Sequence, residues 1–236
     1  MILNRIELKN FRNYKSADIT FSPSRNLLVG RNAQGKSNLL EAVYLLSHLS
    51  SPRVKRLREL VTDGENTGFV RGEVEEGREG IGIKVTLSES GRAVEMNGRK
   101  VEAVSRVRGV FKCVIFSPED IYIVKGEPAR RREFLDETTE LLGPVQARHV
   151  QEYRRILRQR NALLRNWEEY GAGLQAALEP WDEAICREGS VITARRLKFV
   201  KSMEEDLSDM YREVSGGGKR VEVRYVGTFD RGGETE

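Results

Sequence analysis

Residues that bind metals or cross-link chains are scarce in this sequence. Its two cysteines, Cys113 and Cys186, and its two histidines, His48 and His149, lie far apart along the chain. No zinc-type spacing therefore occurs. Because so few cysteines are typical of a reducing compartment, we expect a cytoplasmic protein.

Long apolar runs are also missing. No stretch approaches the ~20 consecutive apolar residues that a membrane-spanning helix needs. The first 14 residues mix charged and apolar side chains, which is not typical of a signal peptide. The sequence predicts a soluble, intracellular protein without a membrane partner.

Neither sign of charge dominates the composition. The chain has 40 Lys and Arg against 36 Asp and Glu, a net charge of +4 and a pI near 9.1. This mildly basic balance is compatible with nucleic-acid binding, but it fits a solvated, highly charged surface equally well.

A phosphate-binding motif lies near the N-terminus. Residues 30–37, GRNAQGKS, match the pattern G-x-x-x-x-G-K-[ST]. Apolar residues 27–29 precede the motif and predict the end of a buried strand. Apolar residues at helical spacing follow it between positions 39 and 46. Strand, loop and helix form the context that a nucleotide-binding P-loop needs.

The residue types of the motif suit a bound nucleotide. Gly30 and Gly35 allow the backbone to turn sharply and to approach a ligand closely. The loop N–H groups then point inward and form an anion site at the start of the helix. Lys36 is expected to reach the β- and γ-phosphates of ATP, and the Ser37 hydroxyl to bind Mg²⁺. The loop residues expected to bind the cofactor are Gly30, Arg31, Asn32, Ala33, Gln34, Gly35, Lys36 and Ser37.

Strands are predicted on both sides of the P-loop. Residues 2–8 and 16–21 are expected to form strands ahead of it, as is usual in ATP-binding-cassette heads. Alternating residues between 68 and 96 predict an antiparallel sheet, followed by a tight turn at Asn97-Gly98. Residues 112–116 predict another buried strand.

The composition changes near Gly126. Residues 128–214 are predicted to be helical, with a break at 171–173. One helix is expected around 150–167 and another from about Pro180, forming an antiparallel hairpin. The chain therefore divides into a lobe that contains the P-loop (1–126), a helical lobe (127–214) and the start of a return strand (215–236).

Arginines are concentrated in the helical lobe. Because guanidinium groups bind phosphates bidentately, the set favours contacts with the DNA backbone. For any single arginine the alternative is a solvated helix face with pairs such as Glu152–Arg155. The candidate DNA-binding residues are Arg130, Arg131, Arg154, Arg155, Arg158, Arg195 and Arg196.

Four stretches together resemble the RecF family of ABC-type head ATPases, which is related to structural-maintenance-of-chromosomes (SMC) proteins. They are residues 8–14 (LKNFRNY), 30–46, 116–136 (FSPEDIYIVKGEPARRREFLD) and 153–164 (YRRILRQRNALL). The block at 116–136 is the most specific, because a bare P-loop would not point to one family.

The resemblance implies an α/β fold with an ABC-type P-loop ATPase head lobe, an antiparallel β subdomain and a helical lobe. It implies an ATP-binding protein of recombinational repair and replication recovery that binds gapped or single-strand/double-strand junction DNA and helps load recombinase. RecR and RecO are the implied partners, and ATP with Mg²⁺ is expected to drive dimerisation of the full-length protein. By the same resemblance, the nucleotide contacts are Gly30, Asn32, Gly35, Lys36, Ser37 and Asn38, with Arg12 and Asn13 in addition.

The sequence also departs from the family pattern. It contains no recognisable signature motif or Walker B aspartate; the nearest acidic pair, Glu119-Asp120, is separated from the apolar residues 114–116 by Ser117-Pro118. The resemblance implies a weak, DNA-stimulated ATPase. This chain, in which we assign no catalytic residue, is expected to bind nucleotide and to hydrolyse it negligibly.

Two other functions stay open on the sequence. A P-loop kinase of another class would use the same loop, although the leading strands and the basic hairpin argue against it. A nucleotide-gated interaction module without enzymatic activity would bind a partner protein through its helical lobe.

Overall fold

The computed structural model describes residues 1–77, 79–141, 144–217 and 220–227. The chain divides into two compact units. The first contains Met1–Glu127 with Leu141–Pro144, and the second contains Pro128–Glu140 with Val145–Glu236.

A six-stranded antiparallel sheet forms the body of the first unit. Side chains alternate between its two faces: Val70 and Val74 of the third strand in sequence are buried, whereas Arg71 between them is exposed. In spatial order the strands are β2 (Tyr14–Thr20), β1 (Ile2–Phe11), β3 (Thr67–Glu76), β4 (Glu79–Ser88), β5 (Gly91–Met96) and β6 (Arg99–Lys100).

Helix α1 (Lys36–His48) packs on the apolar face of this sheet. Leu39, Leu45 and Leu46 of the helix join the strand residues in one buried core. The helix approaches β3 closely at Gly72, where a Cβ would lie 2.5 Å from a methyl carbon of Leu46. A glycine at this position therefore sets how near the helix lies to the sheet.

The β-rich prediction for residues 68–96 is confirmed. Asn97 and Gly98 form the predicted turn between β5 and β6, with φ angles of 51° and 75°. The two strands expected ahead of the P-loop are present and longer than predicted, so that only Arg12 and Asn13 remain as the turn between them.

Two predicted buried strands are wrong. Residues 27–29 and 112–116 form no β-ladder in the described part of the chain. Leu27 and Val29 are 88% and 83% exposed, and Val114 and Phe116 are 97% and 91% exposed. An apolar run becomes a buried strand only where neighbouring strands pair with its backbone, and such pairing is absent here.

A short 3₁₀ turn and helix follow the second of these segments. The turn spans Pro118–Asp120 and continues into α2 (Ile121–Lys125). The carboxylate of Asp120 accepts a hydrogen bond of 2.6 Å from the backbone N–H of Ser117. Asp120 thus caps this turn.

The second unit is helical. An ion pair between Arg160 and Asp182 and a contact of 2.7 Å between His149 Nδ1 and Glu188 Oε2 join its two long helices in antiparallel orientation, which confirms the predicted hairpin. The helices are α3 (Pro128–Leu141), α4 (Pro144–Arg165), α5 (Trp167–Tyr170) and α6 (Leu174–Ser215). In the described residues, no helix has the length and apolar character needed to cross a bilayer.

The start of α6 differs from the prediction. The predicted break at Gly171–Gly173 is present as a 3₁₀ turn, but α6 begins at Leu174 and contains Pro180. A proline inside a helix removes one backbone hydrogen bond near its start, and the packing of the remaining helix outweighs that loss.

The described part of the C-terminal segment is not a strand. Residues 220–227 form no β-ladder; instead, the Ser208 hydroxyl donates to the carbonyl of Val221 (2.6 Å) and Arg196 donates to the Tyr225 hydroxyl (3.2 Å). These bonds attach the segment to α6. The rest of the predicted return strand lies outside the described residues.

Candidate nucleotide-binding site

The P-loop is a turn that leads directly into α1. Gly35 precedes the helix with a φ of 99°, and Ala33 has a φ of 64°. The first helical hydrogen bond runs from the N–H of Leu39 to the carbonyl of Gly35 (2.9 Å). The N–H groups ahead of Leu39 have no partner within the helix, which makes its N-terminus suitable for an anion.

The turn between β1 and β2 supports the loop. A Cβ on Gly35 would lie 2.8 Å from Asn13 Oδ1 and 2.9 Å from the Tyr14 hydroxyl oxygen. The Tyr14 hydroxyl also donates to the carbonyl of Gly35 (3.1 Å). Any side chain at position 35 would therefore push the loop away from this support.

Lys36 lies across the loop. Its Nζ donates to the carbonyls of Gly30 (2.6 Å) and Arg31 (2.7 Å). The ammonium group is held over the loop backbone, where a phosphate would compete with those carbonyls for it. Ser37, in the first helical turn, is exposed, so its hydroxyl can reach a Mg²⁺ ion that accompanies a nucleotide.

Two predicted nucleotide contacts lie together beside the loop. Asn38 Nδ2 donates to Asn13 Oδ1 (2.8 Å), so the structure brings both amides next to Gly35. Arg12, the neighbour of Asn13, is instead held by two bonds of 2.9 Å to the carboxylate of Glu41. Asn13 thus lies next to the predicted loop residues, whereas the Arg12 guanidinium is bonded to Glu41 of α1.

Glu41 is the polar residue that sequence reasoning missed. It is 1% exposed and accepts hydrogen bonds from Arg12, Ser51 (2.6 Å) and Arg53 (3.2 Å). Burial raises the pKa of its carboxyl, but the hydrogen bonds from Arg12 and Ser51 and the charges of both arginines outweigh burial and hold the pKa below its ordinary value. The available signal was an acidic residue within an otherwise apolar stretch of α1.

The left-handed conformation at Ala33 predicts a stabilising substitution. The strain of a side chain at this φ costs about 1–2 kcal/mol. Glycine removes the strain, but it also increases the conformational entropy of the unfolded chain, which offsets part of the gain. We expect Ala33→Gly to raise the free energy of unfolding in urea by ~0.5 kcal/mol. Ala93→Gly, in strand β5, is the matched control and should lower it; an equal loss in both variants would contradict the strain at Ala33.

Some candidate DNA-binding arginines are exposed on the second unit. Arg130, Arg131 and Arg158 are exposed, as is Arg155. Arg155 donates to Glu152 at 2.6 Å, which is the intrahelical pair named as the alternative. A pair on an exposed helix face contributes little to stability, so Arg155 can exchange Glu152 for a phosphate at small cost.

Other candidate arginines belong to a partly buried ion cluster. Arg196 donates to Asp136 at 2.5 Å, and Arg154 lies 3.6 Å from Asp136 and 3.5 Å from Glu140. The Arg196 side chain is only 12% exposed, so its guanidinium serves α3–α6 packing in this structure. Arg195, on the same helix, is half-buried.

Comparison with known proteins identifies relatives over nearly the whole chain. The family model described as "RecF/RecN/SMC N terminal domain" matches residues 2–223. The chain is 33% identical over 229 residues to a protein of Ligilactobacillus salivarius named "DNA replication and repair protein RecF" and 31% identical over 230 residues to a protein of the same name from Bacillus cereus. The two matches include 97% and 98% of this chain, but only 60% and 61% of the two relatives.

Two solved structures share the fold. A recombination mediator protein RecF with ATP, assigned to the RecFOR pathway, superposes with a TM-score of 0.85 at 34% identity, covering 94% of this chain and 63% of that one. A second structure, described as RecF-ATPrS, also superposes with a TM-score of 0.85. It is 36% identical and covers 91% of this chain and 58% of that one. The predicted fold class is confirmed: an ABC-type head with an antiparallel sheet and a helical lobe.

Proposed function

Since the chain belongs to the RecF/RecN/SMC N-terminal domain family, we propose that it is the nucleotide-binding N-terminal portion of a DNA replication and recombinational-repair protein. The observation that carries this proposal is the built loop: Lys36 is held over it, the left-handed turns at Ala33 and Gly35 shape it, and Asn13 supports it. The chain spans about 60% of the length of its curated relatives, so the activity of the whole protein is part of the proposal.

The nucleotide proposed for the loop is ATP with Mg²⁺. The metal, when bound, neutralises charge on the β- and γ-phosphates. Lys36 would turn from the loop carbonyls to the phosphates, Ser37 would offer its hydroxyl to Mg²⁺, and the loop N–H groups would hold the phosphate oxygens. Because Asp120 caps its own turn, we assign no Walker B role to it and propose that these residues alone hydrolyse ATP negligibly.

We propose a division into domains from the same family membership. Residues 1–126 would form the ATPase lobe and 127–214 the helical lobe, followed by the segment 215–236, of which the described residues 220–227 form no β-ladder. The segments 27–29 and 112–116 expose large apolar side chains, Leu27, Val29, Val114 and Phe116, of the kind that buried strands carry. We propose that they pair with strands of the ATPase domain that these 236 residues do not contain.

DNA is the partner proposed for the second unit. Its exposed arginines suit phosphate contacts with gapped or single-strand/double-strand junction DNA. By family membership, we propose that the full-length protein is cytoplasmic, dimerises with ATP, acts with RecR and RecO, and helps load recombinase.

Salt dependence tests this function. The anisotropy of a labelled gapped duplex should report binding that weakens about 40-fold between 50 and 200 mM salt if three phosphates are contacted. Arg158→Ala should lower affinity and reduce the slope by about one contact.

Arg99→Ala, which removes an exposed arginine from β6 of the first unit, is the matched control and should leave the slope unchanged. Affinity that stays constant across this salt range would contradict the DNA proposal. DNA binding that is indifferent to ATP and to Lys36→Ala would favour the interaction module.

A further inference from the structure

A buried carboxylate anchors the flank of the P-loop. Glu41 lies on the same helix as Lys36, and its side chain receives two bonds from Arg12, one from Ser51 and one from Arg53. A buried anion is tolerated only when such partners are present. Arg12 and Arg53, which belong to separate segments, therefore both donate hydrogen bonds to the Glu41 carboxylate.

The bonds from Glu41 continue to the loop. Arg53 Nη1 donates both to Glu41 and to Asn38 Oδ1 (2.9 Å). Asn38 Nδ2 donates to Asn13 Oδ1 (2.8 Å). The Asn13 carboxamide in turn lies against Gly35. A continuous chain of contacts thus connects Glu41 to the loop backbone.

Arg12 provides a second connection. Its side chain donates to Glu41 and to the carbonyl of Glu59 (3.2 Å), and its backbone N–H donates to the carbonyl of Leu60 (2.7 Å). Arg12 holds a φ of 54°, and the next residue is Asn13. The Arg12–Glu41 pair therefore fixes the turn from which Asn13 projects.

We propose that Glu41 is a positioning residue of the nucleotide site, which sets the places of Asn13 and Asn38 beside the phosphates through Arg12 and Arg53. Glu41 itself does not touch the nucleotide. Its negative charge is required because a neutral amide of the same shape cannot hold two guanidinium groups together, and the arginines then move apart and release the asparagines.

The inference rests on the proposed nucleotide binding, and its test begins with Glu41→Gln. Titration calorimetry with MgATP, at a temperature where each variant is folded, should give a Kd at least 10-fold weaker than for the unchanged protein. Glu41→Asp, which keeps the charge, should recover part of the affinity. Glu73→Gln is the matched control, since Glu73 pairs with Arg5 (3.5 Å) on the solvated face of the sheet, and its Kd should not change.

A second variant keeps the test decisive if Glu41→Gln folds poorly. Arg53→Met should weaken MgATP binding, and the double variant with Glu41→Gln should lose no more than the larger single effect, because both act through the same chain of contacts. A lowered melting temperature with an unchanged Kd would overturn the positioning role. If the unchanged protein does not bind MgATP, the proposed function fails instead, so the two failures are distinguishable.

Discussion

Replacing Lys36 by alanine is expected to weaken MgATP binding by about 10- to 100-fold. The Lys36 ammonium already lies over the loop, held only by the carbonyls of Gly30 and Arg31. A hydrogen bond to a charged partner contributes roughly 1.5–3 kcal/mol, which corresponds to this range of affinity. Titration calorimetry at constant salt measures the effect directly.

The control for this experiment is Lys100→Ala. Lys100 is an exposed lysine on β6, at the opposite edge of the sheet from β2, and its removal should leave the Kd unchanged. The free energy of unfolding of Lys36→Ala should stay within ~0.5 kcal/mol of the unchanged protein, as for other surface substitutions. Equal affinities for MgATP with and without the Lys36 side chain would remove the basis of the nucleotide proposal.

Acid is expected to destabilise the first unit through His48. This side chain is buried at the end of α1 and stacks on Tyr44, with ring centroids 3.8 Å apart. Burial lowers the pKa of His48 to about 4, and the charge of Arg108 contributes in the same direction. The unfolded chain, with a histidine pKa near 6.5, therefore binds a proton that the folded chain rejects.

The sign of the pH effect follows from this difference. The contribution of neutral His48 is complete above pH ~6.5, declines as the pH falls from there, and is lost by pH ~4. The total loss amounts to about 3 kcal/mol. Denaturant unfolding between pH 7 and pH 4 measures it.

His48→Phe isolates this contribution from the carboxylates that titrate in the same range. Phenylalanine keeps a ring against Tyr44 and has no proton to gain. The variant should lose less stability than the unchanged protein on acidification, by about 3 kcal/mol at pH 4. Parallel pH profiles for the two proteins would show that His48 is not the group responsible.

The sequence predicted features that depend on local pattern. The loop at 30–37 and helix α1 follow from glycine placement and apolar spacing, and β3 to β5 follow from alternation within each strand. The segments 27–29 and 112–116 could not be placed in this way. Their apolar runs resemble buried strands, but pairing depends on neighbours that the run itself does not contain.

The role of Glu41 was hidden for a related reason. An acidic residue in a helix ordinarily indicates a solvated face, whereas the buried Glu41 is compensated by hydrogen bonds from Arg12 and Arg53, which belong to other segments. Arg196 shows the converse. Its sequence neighbourhood favoured DNA contact, whereas Asp136 on another helix holds its guanidinium.

The exposed segments 27–29 and 112–116 have a practical consequence for anyone who purifies these 236 residues. Large apolar side chains are exposed on these segments at Leu27, Val29, Val114 and Phe116, and exposed apolar surface of this kind favours contacts with a second molecule. A net charge of only +4 provides little repulsion between molecules in moderate salt. Concentrated samples should therefore aggregate through these segments, and dilute handling in low salt should keep the preparation monodisperse.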